Sequence, residues 1–331
     1  MAEDRGGIGP ISAWRLRRIL AVPEIGILVP LAALTLLFYV LNPVLLSGSN
    51  VIALLRGLAF VGIIVVGQAL LIIVGELDLS VGSVAGLCAI VAAWLMKTAG
   101  WPVVAAVAGG VAAGGLAGLV NGVVAVRLRV PAFITTLGML FIAKGLTYVV
   151  CKGYPIAPLP DSVNAFGRAE PLGISWAFVL FVVVALIADL VLRFTVFGRM
   201  ICATGGNAEV ARLAGIGISA VKITCYVITG ALSAVAGMLV MAQINVGQPE
   251  IGVGWELDAI ASVVVGGVSL FGGRGTVACA VLGLLIMAVV KSGLVMIGTN
   301  WFSTHWQTVA VGLIMIVAVS FDIWRRRAKM S

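Results

Sequence analysis

Long apolar runs constrain the fold of this chain more than any other feature. Of its 331 residues, 62% are hydrophobic and 10% are charged, whereas a soluble domain carries about 25% charged residues. The runs approach the roughly 20 residues that a membrane-spanning helix needs, and they lack the alternation of β-barrel strands. We therefore predict an all-α, polytopic membrane helical bundle with about ten transmembrane helices. The ten segments are Ile25–Leu41, Gly57–Val74, Val81–Met96, Pro102–Val126, Pro131–Val150, Gly173–Leu192, Val221–Met241, Leu257–Leu270, Val277–Ile297 and Trp306–Ile323.

The positions of lysine and arginine predict the orientation of this bundle. Ten spans with a cytoplasmic N-terminus place 15 of the 21 basic residues on the inside, as the excess of positive charge in cytoplasmic loops requires. Both termini are then cytoplasmic. We divide the chain into a basic N-terminus (1–24), one permease domain (25–323) with a long cytoplasmic loop (194–220), and a basic tail (324–331). The eighth segment is short, and we expect it to be tilted or re-entrant.

The residue types that commonly carry enzyme chemistry are sparse or scattered. The five cysteines show no metal-binding spacing, the chain has one histidine, and no GxxxxGK[ST] loop for ATP occurs. Basic residues are not interleaved with aromatic ones, so we expect no nucleic-acid partner. We predict no catalytic residue, no metal site and no cofactor bound by this chain itself.

Two pairs of acids lie beside helix starts and repeat a short pattern. Glu76 and Asp78 separate the second and third segments, and Glu256 and Asp258 open the eighth. Carboxylates there cap backbone N–H groups, whereas acids in membrane segments often mark a functional site. Both interpretations, cap and gate, stay open. The repeated Glu-Leu-Asp also suggests an inverted repeat, because the two copies fall on opposite faces of the predicted bundle.

Uncharged polar residues within the apolar runs are candidates for lining a solute path. Each could instead form a hydrogen bond to a neighbouring helix. These residues are Gln68, Asn121, Thr135, Thr136 and Gln243.

Glycines recur every four residues along the fourth segment, which places them on one helix face. They are Gly110, Gly114, Gly118 and Gly122. Such a face allows another helix to approach closely. We expect it to pack inside the subunit, with a dimer interface as the alternative.

The cytoplasmic loop contains signals for a short helix outside the membrane. Asn207 is a favourable N-cap, Glu209 suits the first turn, and Gly215 suits a helix stop. We predict that Ala208, Ala211 and Arg212 share one face of this helix. It either rests on the membrane surface or inserts into a partner protein.

Several motifs together resemble the permease subunits of bacterial ABC importers, specifically the ribose/xylose/galactose type. Glu209, Ala211 and Gly215 match the EAAxxDG loop pattern of these permeases, while Val210 and Ala214 depart from it. The similarity extends in order along nearly the whole chain. It rests on the stretches Gly75–Ser83, Asn121–Gly122, Pro131–Gly138, Gly205–Ile216 and Val263–Thr276.

This resemblance implies a monosaccharide or polyol importer of the bacterial inner membrane that works by alternating access. Two permease subunits, identical or paralogous, would form the pore among membrane lipids, and a separate ATPase carrying ATP and Mg²⁺ would dock on a coupling helix. The residues implied in coupling are Gly205, Gly206, Asn207, Glu209, Ala211, Arg212 and Gly215. An extracytoplasmic sugar-binding protein would dock on the outside loops Cys151–Pro171 and Gln243–Glu256.

Other transport functions remain as alternatives. Permeases for nucleosides or branched-chain amino acids share the same superfamily. An ion-coupled secondary transporter would need an intramembrane acid, for which Glu76 and Asp78 are the candidates.

Overall fold

The structure, a computed structural model, describes residues 23–170, 173–297, 306, 309–314, 316–317 and 320. The described residues form an all-helical bundle with one isolated antiparallel bridge between Ile156 and Gly247. The helices are α1 Pro23–Leu41, α2 Gly48–Ile73, α3 Val81–Lys97, α4 Val103–Gly122, α5 Ala132–Cys151, α6 Asp161–Arg168, α7 Trp176–Phe194, α8 Val196–Gly206, α9 Ala208–Leu213, α10 Ile218–Ile244, α11 Trp255–Val265 and α12 Val277–Ile297. A 3₁₀ turn, Pro43–Leu46, precedes α2, and a π-helical turn, Val123–Arg127, extends α4.

Six helices in the described part of the chain are long and apolar enough to cross a membrane. They are α2, α4 with its π-helical turn, α5, α7, α10 and α12. The chain is thus a multi-pass membrane protein. The prediction of ten spans and of cytoplasmic termini stays a prediction, because the basic N-terminus, most of the tenth segment and the basic tail lie outside the described residues.

Helix α2 forms the centre of the bundle, and α5 and α7 lie at its edge. In the most apolar 18-residue window of α2, 78% of the residues are buried inside the protein, compared with 17% in α5 and in α7. The apolar side chains left exposed on α5 and α7 suit a lipid environment, because lipid tails are as apolar as they are. The central position of α2 brings it into contact with α7, α10, α11 and α12.

The glycine face of α4 packs against α10 inside the subunit, as expected from its spacing. A Cβ added to Gly114 would collide with the backbone oxygen of Gly230, and one added to Gly230 would collide with that of Gly114. Gly118 meets Tyr226 in the same way, and Gly122 lies against Ile223. The helices therefore touch backbone to backbone, which only glycine permits.

The eighth predicted segment is a short helix in the structure. Its α-helical part, α11, has 11 residues, which corresponds to about 16 Å at 1.5 Å per residue. This is roughly half of the 30 Å hydrocarbon core. Helix α11 packs along α12 in a close antiparallel pair, with Gly283 against the backbone of Ser262 and Gly266 against Cys279.

Candidate functional site

The cytoplasmic loop predicted at 194–220 contains two helices, α8 and α9. The side chain of Asn207 accepts hydrogen bonds from the backbone N–H groups of Glu209 and Val210, at 3.0 and 3.1 Å. Gly215 has a positive φ of 82°, a conformation that favours glycine. The predicted cap, first-turn acid and stop are therefore present in the local geometry, although the helix itself is limited to six residues.

The residues predicted to share one face of α9 differ in exposure, since Ala208 and Arg212 are exposed and Ala211 is buried. Ala211 is 3% exposed, because the helix rests on the rest of the chain through this residue, so it cannot enter a partner's groove in this conformation. Arg212 pairs with Glu209 of its own helix at 2.6 Å. The apolar side chains that face outward are Val210 and Leu213, which are 60% and 80% exposed.

Gly205 and Gly206, at the end of α8, connect the loop predicted to be cytoplasmic to the core. A Cβ on Gly205 would collide with the backbone oxygen of Ile73, the last residue of α2. The Gly272–Gly273 turn between α11 and α12 packs on the same glycines, and the N–H of Gly273 donates to the oxygen of Ile73 at 2.8 Å. The end of α8 is thus in backbone contact with α2 and with the α11–α12 turn.

The loop between α2 and α3 is held by a buried hydrogen-bond cluster around Asp78. Its carboxylate accepts bonds from the backbone N–H and hydroxyl of Ser80, at 2.7 and 2.6 Å, and from the Asn121 amide at 3.2 Å. Burial raises the pKa of the Asp78 carboxyl, and the hydrogen bonds from Ser80 and Asn121 oppose this rise. Asp78 therefore ties the start of α3 to α4.

Glu76, two residues earlier, is bound to α10. Its carboxylate pairs with Lys222 at 2.6 Å and accepts a hydrogen bond from the Tyr226 hydroxyl at 3.0 Å. Tyr226 also lies within hydrogen-bond distance of the Leu77 carbonyl oxygen, at 3.2 Å. Both acids of the first pair thus contact a neighbouring helix, α4 for Asp78 and α10 for Glu76. A capping role alone does not explain these contacts.

The second acidic pair lies at the start of α11. Gly254 is the N-cap residue and has no side chain to form a cap bond, but the Glu256 carboxylate accepts hydrogen bonds from the backbone N–H groups of Gly254 and Glu256. Asp258, in the first turn of α11, pairs with Lys291 of α12 at 2.6 Å, so this carboxylate also contacts a neighbouring helix. Lys291 was not among the candidate residues, although a lysine inside an apolar run is itself a signal. Glu256 lies beside Gly82 of α3, where an added Cβ would collide with its carboxylate.

The predicted path residues do not gather at one site. Asn121 belongs to the Asp78 cluster, and the Thr136 hydroxyl donates to the Ala132 carbonyl of its own helix. Gln243 is at the far end of α10, where its backbone oxygen accepts a bond from Arg168. The Thr135 hydroxyl and both amide atoms of the fully buried Gln68 have no hydrogen-bond partner among the described residues.

The two predicted outside loops form one surface. Ile156 and Gly247 exchange backbone hydrogen bonds of 2.9 and 3.0 Å. Tyr148, near the end of α5, donates to Glu250 at 2.8 Å. Helix α6, inside the first loop, packs through Gly167 onto the backbone of Ala242. Across the described ranges, no group of three or more His, Cys, Asp or Glu side chains could hold a metal ion.

Comparisons with known proteins concern the family of this chain. Residues 50–319 match the family described as the permease component of the branched-chain amino acid transport system. No solved structure matches the chain significantly.

The curated relatives include several sugar permeases. An L-arabinose ABC transporter permease protein of Azospirillum brasilense is 34% identical over 99% of this chain and 93% of its own length. The L-arabinose transport system permease protein of Escherichia coli K12 is 35% identical over 98% and 97%. The ribose import permease protein of the same strain is 37% identical over 76% and 79%. The chain therefore belongs to this ABC-importer permease family, and within it to the monosaccharide permeases.

Proposed function

We propose that this chain is the membrane-spanning subunit of a bacterial inner-membrane importer that moves a monosaccharide or related polyol by alternating access. The observation that carries the proposal is the near full-length similarity to the L-arabinose permeases. The capped α9 helix in the cytoplasmic loop supports it, because a separate ATPase would need such a projecting element.

We propose α9 as the coupling helix for that ATPase, with Leu213 and Val210 as its contact residues. They lie three positions apart, so they share a helix face, and both are more than half exposed. Docking would remove their apolar surface from water, which favours association. Backbone contacts of Gly205 then offer a route from α9 to the end of α2 and to the α11–α12 turn.

The joined outside loops are the proposed docking surface for an extracytoplasmic sugar-binding protein. The bridge between Ile156 and Gly247 holds the two loops in a fixed relation. A second permease subunit, either a copy or a paralogue, would complete the pore. ATP and Mg²⁺ would be bound by the ATPase and not by this chain.

The test is uptake of labelled pentoses, hexoses and polyols into proteoliposomes that contain the permease, its ATPase and its binding protein. We expect uptake that requires ATP hydrolysis and that persists when ionophores collapse the membrane potential. Uptake by the permease alone that an ionophore abolishes would instead support an ion-coupled transporter. Uptake of nucleosides or branched-chain amino acids in place of sugars would support the other permeases of the superfamily.

A substitution on α9 tests the coupling role directly. Leu213→Asp should weaken co-purification of the ATPase at least about tenfold, since burying one leucine contributes about 1.5–3 kcal/mol. Tyr154→Asp places the same charge on an exposed residue of an outside loop and should leave co-purification unchanged. Normal co-purification and uptake with Leu213→Asp would mean that α9 is only a surface helix.

A further inference from the structure

A cavity of about 390 Å³ lies between α2, α11 and α12. This volume falls within the range of small-molecule sites. The walls are mostly aliphatic, from residues such as Leu54, Val61 and Met287. The polar side chains that line it are Asn50, Asp258, Ser262, Lys291 and Ser292.

The ion pair between Asp258 and Lys291 gives this cavity its polar character. The carboxylate and ammonium groups are 2.6 Å apart, and the side chains are 24% and 32% exposed. Ionisable residues in membrane segments are costly and usually face a cavity or the bundle interior. The two charges cancel as a pair, so the site offers hydrogen-bond donors and acceptors without a net charge.

The opposite wall contributes a second polar group at its outer edge. The Asn50 amide donates to the Leu45 carbonyl oxygen at 2.7 Å and lies 3.3 Å from the Ser292 hydroxyl. This contact joins the first turn of α2 to α12 at one end of the cavity.

Gln68 extends this polar arrangement along α2. It follows the lining residues Leu54 and Val61 at the same spacing of seven residues, which is about two helical turns or 10 Å. Gln68 is therefore aligned with the cavity-lining face of α2, about two turns beyond Val61, the last lining residue of this helix, in the direction of Ile73. Its side chain is 0% exposed, and neither amide atom has a partner among the described residues.

We propose that this cavity is a transit site for a neutral, polyhydroxylated solute of monosaccharide size. Hydroxyl groups of the solute would exchange hydrogen bonds with Asp258 and Lys291, and subsequently with Gln68 further along α2. A buried amide without a partner costs free energy, and a passing hydroxyl compensates for it during transport. This inference rests on the proposed function, and it adds the place in the chain where the sugar is held.

The chemistry of the cavity favours a sugar over an ion or a lipid headgroup. A single cation or anion would have to compete with the existing partner of Asp258 or Lys291. A phosphate headgroup would bring a net charge to a site where one ammonium is already neutralised. A sugar presents hydroxyl groups to the ion pair and its C–H faces to the aliphatic wall.

The first test fills the cavity and compares two glycines. Gly57 lines the cavity, whereas Gly138 lies on α5 and does not line it. A Cβ added to either glycine would meet no atom within 4 Å. Gly57→Phe should lower ATP-driven sugar uptake by at least about tenfold, whereas Gly138→Phe should match the wild type. ATP hydrolysis stimulated by the sugar-loaded binding protein should persist in both, because the cytoplasmic contacts are unchanged.

The second test removes the unpartnered amide. Gln68→Leu should lower uptake by about three- to tenfold, the equivalent of one lost hydrogen bond, with a melting temperature equal to or above that of the wild type. Thr147→Val is the control, because it also removes a buried polar group, one whose hydroxyl donates to the Ala143 carbonyl within α5 and does not line the cavity, and its uptake should be unchanged. Gln68→Leu keeps the proposal testable if Gly57→Phe does not insert into the membrane.

The outcomes separate the transit site from the function on which it rests. Wild-type uptake together with normal uptake in Gly57→Phe or in Gln68→Leu would overturn the transit site alone. A loss of melting temperature in Gln68→Leu that matches its loss of uptake would make Gln68 a structural residue and would also overturn it. Absence of ATP-driven uptake of any sugar by the wild type would overturn the proposed function and this site together.

Discussion

The tripeptide Glu-Leu-Asp occurs twice in this chain, and the two copies have different environments. In the first copy, Asp78 is 2% exposed and its carboxylate is held by Ser80 and Asn121. In the second, Asp258 pairs with Lys291 on the wall of a cavity. The first carboxylate is enclosed by hydrogen-bond donors, and the second borders open space.

The comparison shows that an identical motif at a helix start does not determine one role. Both copies precede or open a helix, α3 or α11, and these starts touch, because Gly82 lies against the backbone of Gly252. The prediction that the two copies fall on opposite faces of the bundle is therefore wrong. Neighbouring helices make the difference: α4 supplies Asn121 to the first copy, and α12 supplies Lys291 to the second. We therefore expect the first copy to serve stability and the second to serve transport.

The largest effect should follow removal of the first carboxylate. Asp78→Ala leaves the buried donors of Ser80 and Asn121 without an acceptor, at a cost of about 1–3 kcal/mol for each such group, so the detergent-solubilised permease should melt at a clearly lower temperature. Asp78→Asn should recover much of the loss, because burial already raises the pKa of this carboxyl and the amide keeps an acceptor oxygen. Equal melting of Asp78→Ala and Asp258→Ala would remove the contrast between the copies.

An intermediate effect is expected at the second copy. Asp258→Asn leaves Lys291 without its ionic partner, but the cavity gives the ammonium space, so we expect a loss of about 1 kcal/mol. The double variant Asp258→Asn/Lys291→Gln should return the melting temperature toward the wild-type value, because no unpaired charge remains. If the double variant is as unstable as Asp78→Ala, the pair has a structural role.

The smallest effect should come from the exposed pair on α9. The side chains of Glu209 and Arg212 are 65% and 68% exposed, and such surface pairs contribute about 0–1 kcal/mol. Glu209→Gln should leave the melting temperature within error of the wild type. A large loss would show that α9 is held in place by this pair and not by the burial of Ala211.

Much of the fold could be predicted because apolar runs and helix signals are local. The described helices follow the predicted segments closely, and Asn207 and Gly215 act where the sequence places them. The close packing of Gly114 was also predictable, because glycines spaced four residues apart form a helix face that another helix can approach closely.

The contacts of the polar residues could not be predicted in the same way. The pairing of Asp258 with Lys291, or of Glu76 with Lys222, depends on which helices become neighbours. The burial of Ala211 likewise depends on where α9 rests. Periodicity assigns a residue to a helix face, but it does not state what that face meets.

The glycine contact between α4 and α10 restricts how the bundle can move. With Gly114 and Gly230 touching through their backbones, one helix cannot slide along the other without separating first. We therefore expect these two helices, and likewise the α11–α12 pair with its own glycine contacts, to move as rigid units. A movement that opens or closes a passage would then occur where side chains separate the helices, as between α2 and the α11–α12 pair around the cavity.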